Sequence, residues 1–114
     1  MFASHHQLDQ LIAVLDCNDQ QAFGYTKDVL RLEPIAARWS AFGWDVREAA
    51  GHDIDALAAA LDRPADHRPL LVIARTTFGR GVSFMERELK WHYLPMSDTE
   101  YEQALQEVRR GPRA

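Results

Sequence analysis

Two unbroken apolar runs set the frame of the chain. Leu11-Ile12-Ala13-Val14-Leu15 leads into Asp16-Cys17-Asn18, and Leu70-Leu71-Val72-Ile73-Ala74 follows Pro69. Runs of this length bounded by polar residues read as strands buried on both faces, as in a parallel sheet covered by helices. The strands expected are 11–16 and 70–74. Trp44-Asp45-Val46-Arg47-Glu48-Ala49 alternates apolar and polar instead, and reads as a further strand. Residues 2–10 read as the end of a helix leading into the first strand. A connecting segment over 25–33 contains a helical turn, and Pro34 then suits the first turn of a helix, where its missing N–H costs nothing. Ile35, Arg38, Trp39 and Phe42 keep helical spacing, with Trp39 and Phe42 as core residues, and Gly43 caps the C-terminus. Gly51-His52-Asp53 turns the chain, and Asp53 is placed to cap the next helix. Ile54, Leu57, Ala58 and Leu61 form that helix's buried stripe, and Pro64 ends it. Ser97-Asp98 opens a last helix with Tyr101, Leu105 and Val108 on one face. Strand, helix, strand, helix, strand is the βαβ pattern of a parallel sheet with right-handed crossovers, so the fold class is α/β.

Composition narrows the function more than the fold. A chain of 114 residues makes one domain, 1–114, with room for a real core. The hydrophobic share of 46% gives no sign of disorder. A formal charge of -4 argues against nucleic acid, which needs a clustered cationic face. The short basic cluster Arg109-Arg110-Gly111-Pro112-Arg113 reads as a solvated end. Cys17 is the single cysteine, so no intrachain disulfide can form, which fits a reducing cytoplasm. No stretch approaches a membrane span, and the start lacks a signal-peptide pattern. A cytoplasmic protein without a membrane partner is expected.

Candidate chemistry lies just past the strands. Open α/β sheets bind ligands beyond the carboxyl ends of their strands. There Asn18 and the loop carbonyls up to Gly24 offer neutral oxygens suited to a hard cation, although Asn after a strand is also an ordinary turn residue. Arg75-Thr76-Thr77-Phe78-Gly79-Arg80-Gly81 follows another strand, and its glycines let backbone approach a ligand closely. No helix is predicted directly after it to present an N-terminus to phosphate. His5 and His6 are adjacent, point about 100° apart on a helix, and read as a surface pair. His52 reads as a turn residue. His92, after Trp91, reads either as a structural hydrogen-bonding residue or as a group able to bind phosphate and move protons near neutral pH.

A set of motifs then resembles the transketolase family, in the later part of its thiamine-diphosphate-binding first domain and in the split-subunit branch. They are His5-His6-Gln7-Leu8-Asp9-Gln10-Leu11-Ile12-Ala13-Val14-Leu15-Asp16-Cys17-Asn18, Leu32-Glu33-Pro34, Trp39-Ser40-Ala41-Phe42-Gly43-Trp44, Gly51-His52-Asp53, Arg75-Thr76-Thr77-Phe78-Gly79-Arg80-Gly81-Val82-Ser83-Phe84-Met85, Trp91-His92 and Glu100-Tyr101-Glu102-Gln103-Ala104-Leu105. They run in the family's order over nearly the whole chain. The resemblance implies a three-layer α/β/α arrangement with a mainly parallel sheet, as an incomplete thiamine-diphosphate-binding fold. It implies thiamine diphosphate held through Mg²⁺ or Ca²⁺, with Asn18 as amide ligand and Gln20 supplying a backbone carbonyl. It places Ala22 and Phe78 against the cofactor and His92 near the diphosphate and substrate.

Two departures shape the functional expectation. Phe23 stands where an Asp commonly precedes the glycine that closes the metal loop, here Gly24. The chain contains no Gly-Asp-Gly, which the family places just before the residues corresponding to Met1. The family's early substrate-handling histidines and its second domain, with the glutamate that activates the aminopyrimidine, are also missing. Half a metal shell binds little, because neutral oxygens then compete with bulk water for the ion. The expectation is therefore a subunit of a split transketolase-like enzyme, which moves a two-carbon ketol unit between sugars, usually sugar phosphates. Its partners would be a chain carrying the Gly-Asp-Gly half of the cofactor domain and a chain carrying the pyrimidine-binding domain. The alternative is a non-catalytic remnant that keeps the fold and acts as an interaction module.

Overall fold

The computed structural model describes residues 1–62 and 67–111. In chain order the elements are α1 (Phe2–His5), β1 (Ile12–Cys17), β2 (Gln20–Gln21), β3 (Gly24–Tyr25), α2 (Thr26–Val29), α3 (Ile35–Ala41), β4 (Asp45–Ala50), α4 (Ile54–Ala60), β5 (Leu70–Arg75), a 3-10 turn (Leu89–His92) and α5 (Asp98–Arg110). They divide into two compact units. Met1–Cys17 with Arg31–Thr76 forms the first, and Asn18–Leu30 with Thr77–Ala114 the second.

The first unit holds a parallel sheet in the order β1-β5-β4. Leu70 of β5 lies opposite both Ile12 of β1 and Asp45 of β4, and the register runs without a bulge to Cys17, Arg75 and Ala50. β5 is central, and Leu70 to Ala74 are all buried. Its side chains alternate between two cores. Leu71 and Ile73 pack with Ala3 of α1, Ile35 of α3 and Trp44, while Leu70 and Val72 pack with Ala60 of α4. Helices therefore cover both faces, giving the α/β/α layering expected from the sequence. Burying each of these β5 side chains contributes on the order of 1.5–3 kcal/mol.

Several local expectations are corrected. β1 is an edge strand, half-buried where the sequence predicts burial on both faces, and Val14 is 57% exposed. An unbroken apolar run does not distinguish a central strand from an edge, and only β5 has a strand on each side. The buried stripe of α4 is Leu57 and Ala60, with Ile54 82% exposed and Ala58 and Leu61 also exposed. α5 buries Ala104 and leaves Tyr101 and Val108 exposed. α1 ends at His5 rather than near residue 10, because Gln7 takes a left-handed conformation (φ 50°) and Leu8 N–H closes onto the Ala3 carbonyl at 2.9 Å. Phe42 is exposed, whereas Trp39 packs on the core and meets Trp44 edge-on at 4.8 Å.

Capping chemistry follows the sequence. The Asp53 carboxylate accepts the Ala56 N–H at 3.0 Å, and Ser97 with Glu100 forms a complete capping box. Gly43 adopts φ 85° just past α3, as a C-terminal cap requires. The stop assigned to Pro64 and the tail residues Pro112 and Arg113 lie outside the described residues.

Candidate functional site

All five candidate residues fall in the second unit. Asn18 follows β1 directly, and its Oδ1 accepts the Gln20 N–H at 2.9 Å, which closes an Asx turn. Asp19 sits at φ 63° inside this turn, and its carbonyl accepts the Thr26 N–H at 2.9 Å. The chain then makes a tight hairpin, with Gln20 opposite Tyr25 and Gln21 opposite Gly24. Ala22 and Phe23 are exposed at its tip. Asn18 is half-buried, and an amide oxygen carries two lone pairs, so the turn leaves one of them for a cation.

Gln20 is 9% exposed, and its Nε2 donates to the Arg87 carbonyl at 2.7 Å while its Oε1 has no hydrogen-bond partner. Phe78 and His92 stack face to face, with ring centroids 4.5 Å apart and an interplanar angle of 19°. The Tyr93 hydroxyl, next to His92, donates to the carbonyl of Ala22. Hydrogen bonds thus tie the Asn18 hairpin to the segments that carry Phe78 and His92. Among the described residues there is no cluster of three His, Cys, Asp or Glu side chains able to hold a metal. What Asn18 and the Gln20 backbone offer a hard cation is neutral oxygen, which fits part of a Mg²⁺ or Ca²⁺ shell without adding charge.

Sequence reasoning missed Gln20's side chain, Arg87 and Tyr93, since no local pattern links positions so far apart. It also missed a charged knot at the carboxyl end of the first unit's sheet. Arg75 reaches Glu48 at 3.0 Å through two nitrogens, Glu33 at 3.2 Å and the Cys17 sulfur at 3.1 Å. These pairings hold the guanidinium protonated well above its ordinary range, with the Glu48 hydrogen bond as the largest cause. Glu33 is held below the ordinary carboxylate range, first by the Ile35 N–H and then by Arg75. The only cue in the sequence was an Arg at the end of an apolar run. His5 and His6 are the exposed pair expected, with rings 4.8 Å apart.

Fold and loop together define a parallel α/β domain of the kind that binds a ligand beyond its strands. Comparison with known proteins gives the particular family. Residues 1–112 match the family described as transketolase, thiamine diphosphate binding domain. The chain is 40% identical over 111 residues to one of the subunits of apulose-4-phosphate transketolase from Phocaeicola vulgatus, covering 95% of this chain and 39% of that protein. It is 35% identical over 112 residues to a 6-deoxy-6-sulfo-D-fructose transketolase subunit of a Clostridium species, covering 96% of this chain and 41% of that protein. The crystal structure of transketolase from Campylobacter jejuni superposes with a TM-score of 0.85 at 28% identity, over 95% of this chain and 17% of that one. The chain belongs to the transketolase thiamine diphosphate binding domain family, and it spans 39% to 41% of the length of these two curated relatives.

Proposed function

We propose that the chain works as a subunit of a split thiamine-diphosphate-dependent transketolase-like enzyme. The assembled enzyme transfers a two-carbon ketol unit from one sugar to another, usually as sugar phosphates. The observation that carries this reading is the hydrogen-bonded grouping of the Asn18 hairpin with the Phe78 and His92 segments. The relatives' names as transketolase subunits support it. They also weigh against a non-catalytic remnant.

The roles follow from chemistry. The Asn18 amide oxygen and the Gln20 backbone carbonyl bind Mg²⁺ or Ca²⁺ as neutral hard donors. Ala22 and Phe78 pack against the cofactor, and Phe78 holds the His92 ring in one plane. His92 donates to a phosphate or substrate oxygen and moves protons near neutral pH. Bound thiamine diphosphate supplies the carbanion-stabilising chemistry, while the protein positions and shields. The acidic metal ligand and the pyrimidine-binding domain come from outside residues 1–114, and at least one further subunit takes part in the assembled enzyme. The complex acts in the cytoplasm.

The test is Asn18→Ala in the reconstituted complex, with thiamine diphosphate binding followed as Mg²⁺ is titrated. Losing one of the ion's few ligands raises the Mg²⁺ needed for half-saturation by roughly tenfold or more, and ketol transfer falls with it. Binding and transfer identical to the unsubstituted complex would overturn the assignment.

A further inference from the structure

We infer that the buried side-chain amide of Gln20 is a positioning residue that couples the metal loop to the Phe78–His92 stack. The inference rests on the cofactor reading above and extends it to a side chain for which that reading has no role. Turn residues on a hairpin edge are normally solvated, yet Gln20 is nine-tenths buried. An amide is kept in such a place only where its hydrogen bonds do something solvent cannot.

Those bonds form a continuous path. Asn18 Oδ1 accepts the Gln20 N–H at 2.9 Å, so the backbone of Gln20 is fixed by the proposed metal ligand. The Gln20 Nε2 donates to the Arg87 carbonyl at 2.7 Å. Arg87 sits at φ 60°, a conformation that side-chain-bearing residues rarely adopt, so outside contacts must hold it. Its N–H donates to the Phe78 carbonyl at 3.0 Å, and the Phe78 ring stacks on His92. The Tyr93 hydroxyl, bonded to the Ala22 carbonyl, anchors the hairpin a second time next to His92. Ordering the loop around a cation therefore orders the turn at Arg87, and with it the ring on which His92 lies.

Hydrogen exchange read by mass spectrometry tests this on the full chain, free and in its complex, with and without Mg²⁺ and thiamine diphosphate. Gln20→Met keeps length and removes the donor. Gln20→Leu, which is close in volume and has no donor, serves if the Met variant does not fold. The wild type gains protection at 18–25 and at 85–92 when the cofactor is added. In the variant the gain at 18–25 persists, while 85–92 exchanges about tenfold faster and no longer responds. A purely structural amide would lower protection without changing the response to cofactor. A variant whose two segments respond like the wild type overturns the coupling alone. A wild type that gains nothing at 18–25 defeats the cofactor reading, and the coupling falls with it.

Discussion

Asn18 shows how little one residue says before its neighbours are placed. Its position after an apolar run is enough to predict a turn, and the structure places the Asx bond there. The partners of Gln20 were not legible, because Arg87 lies 67 positions along the chain and no short pattern joins them. The knot at Arg75 was hidden for the same reason, since Glu33 and Glu48 meet it only when the strands and the connection to α3 are in place. Glu33 gives a pH prediction. Its folded pKa lies below the ordinary value of 4.5, so its ionised form is favoured by folding. That contribution is present above the ordinary value and is lost as pH falls through the folded one. Glu33→Gln should therefore lower stability more near about pH 7 than near about pH 3. Urea denaturation at the two values checks it. The group is exposed, so the effect is small, and equal losses at both pH values would contradict the ion-pair account.

At the scale of elements, the sequence predicted the three strands of the parallel sheet and the polar cap at Asp53. Each rests on a local signal, namely an apolar run, an alternation, or a side chain placed to accept an N–H. The order of the strands is not local, and there the reading of β1 failed. The apolar runs of β1 and β5 look alike, and only pairing decides that β5 is flanked on both sides. The difference is measurable. Ile73→Ala empties a site with no solvent exposure and should cost about 2–5 kcal/mol. Val14→Ala, on the open edge, should cost under about 1 kcal/mol. Similar losses for both in thermal or chemical denaturation would mean that β1 is covered. The helical stripes misled for a related reason: periodicity identifies a helix but does not choose between large and small residues for its buried face. The fully buried residue is an alanine in both helices, Ala60 in α4 and Ala104 in α5.

At the scale of the whole molecule, the proposed role as a subunit of a larger enzyme makes a prediction about binding. Copurification followed by cofactor titration should show saturable, metal-dependent thiamine diphosphate binding by the complex and none by the isolated chain. Equal binding by the isolated chain would mean that it holds a complete site. The chain also carries its own optical reporters. Trp39 and Trp44, edge-on in the first unit, should give an exciton couplet in circular dichroism, while the emission lost in a Trp91→Phe variant reports on the second unit. Among the described residues, most buried hydrophobic side chains belong to the first unit, whereas the second buries little beyond Val82 and Ala104. On heating, that Trp91 contribution should therefore shift before the couplet collapses, so that warming resolves two separate transitions.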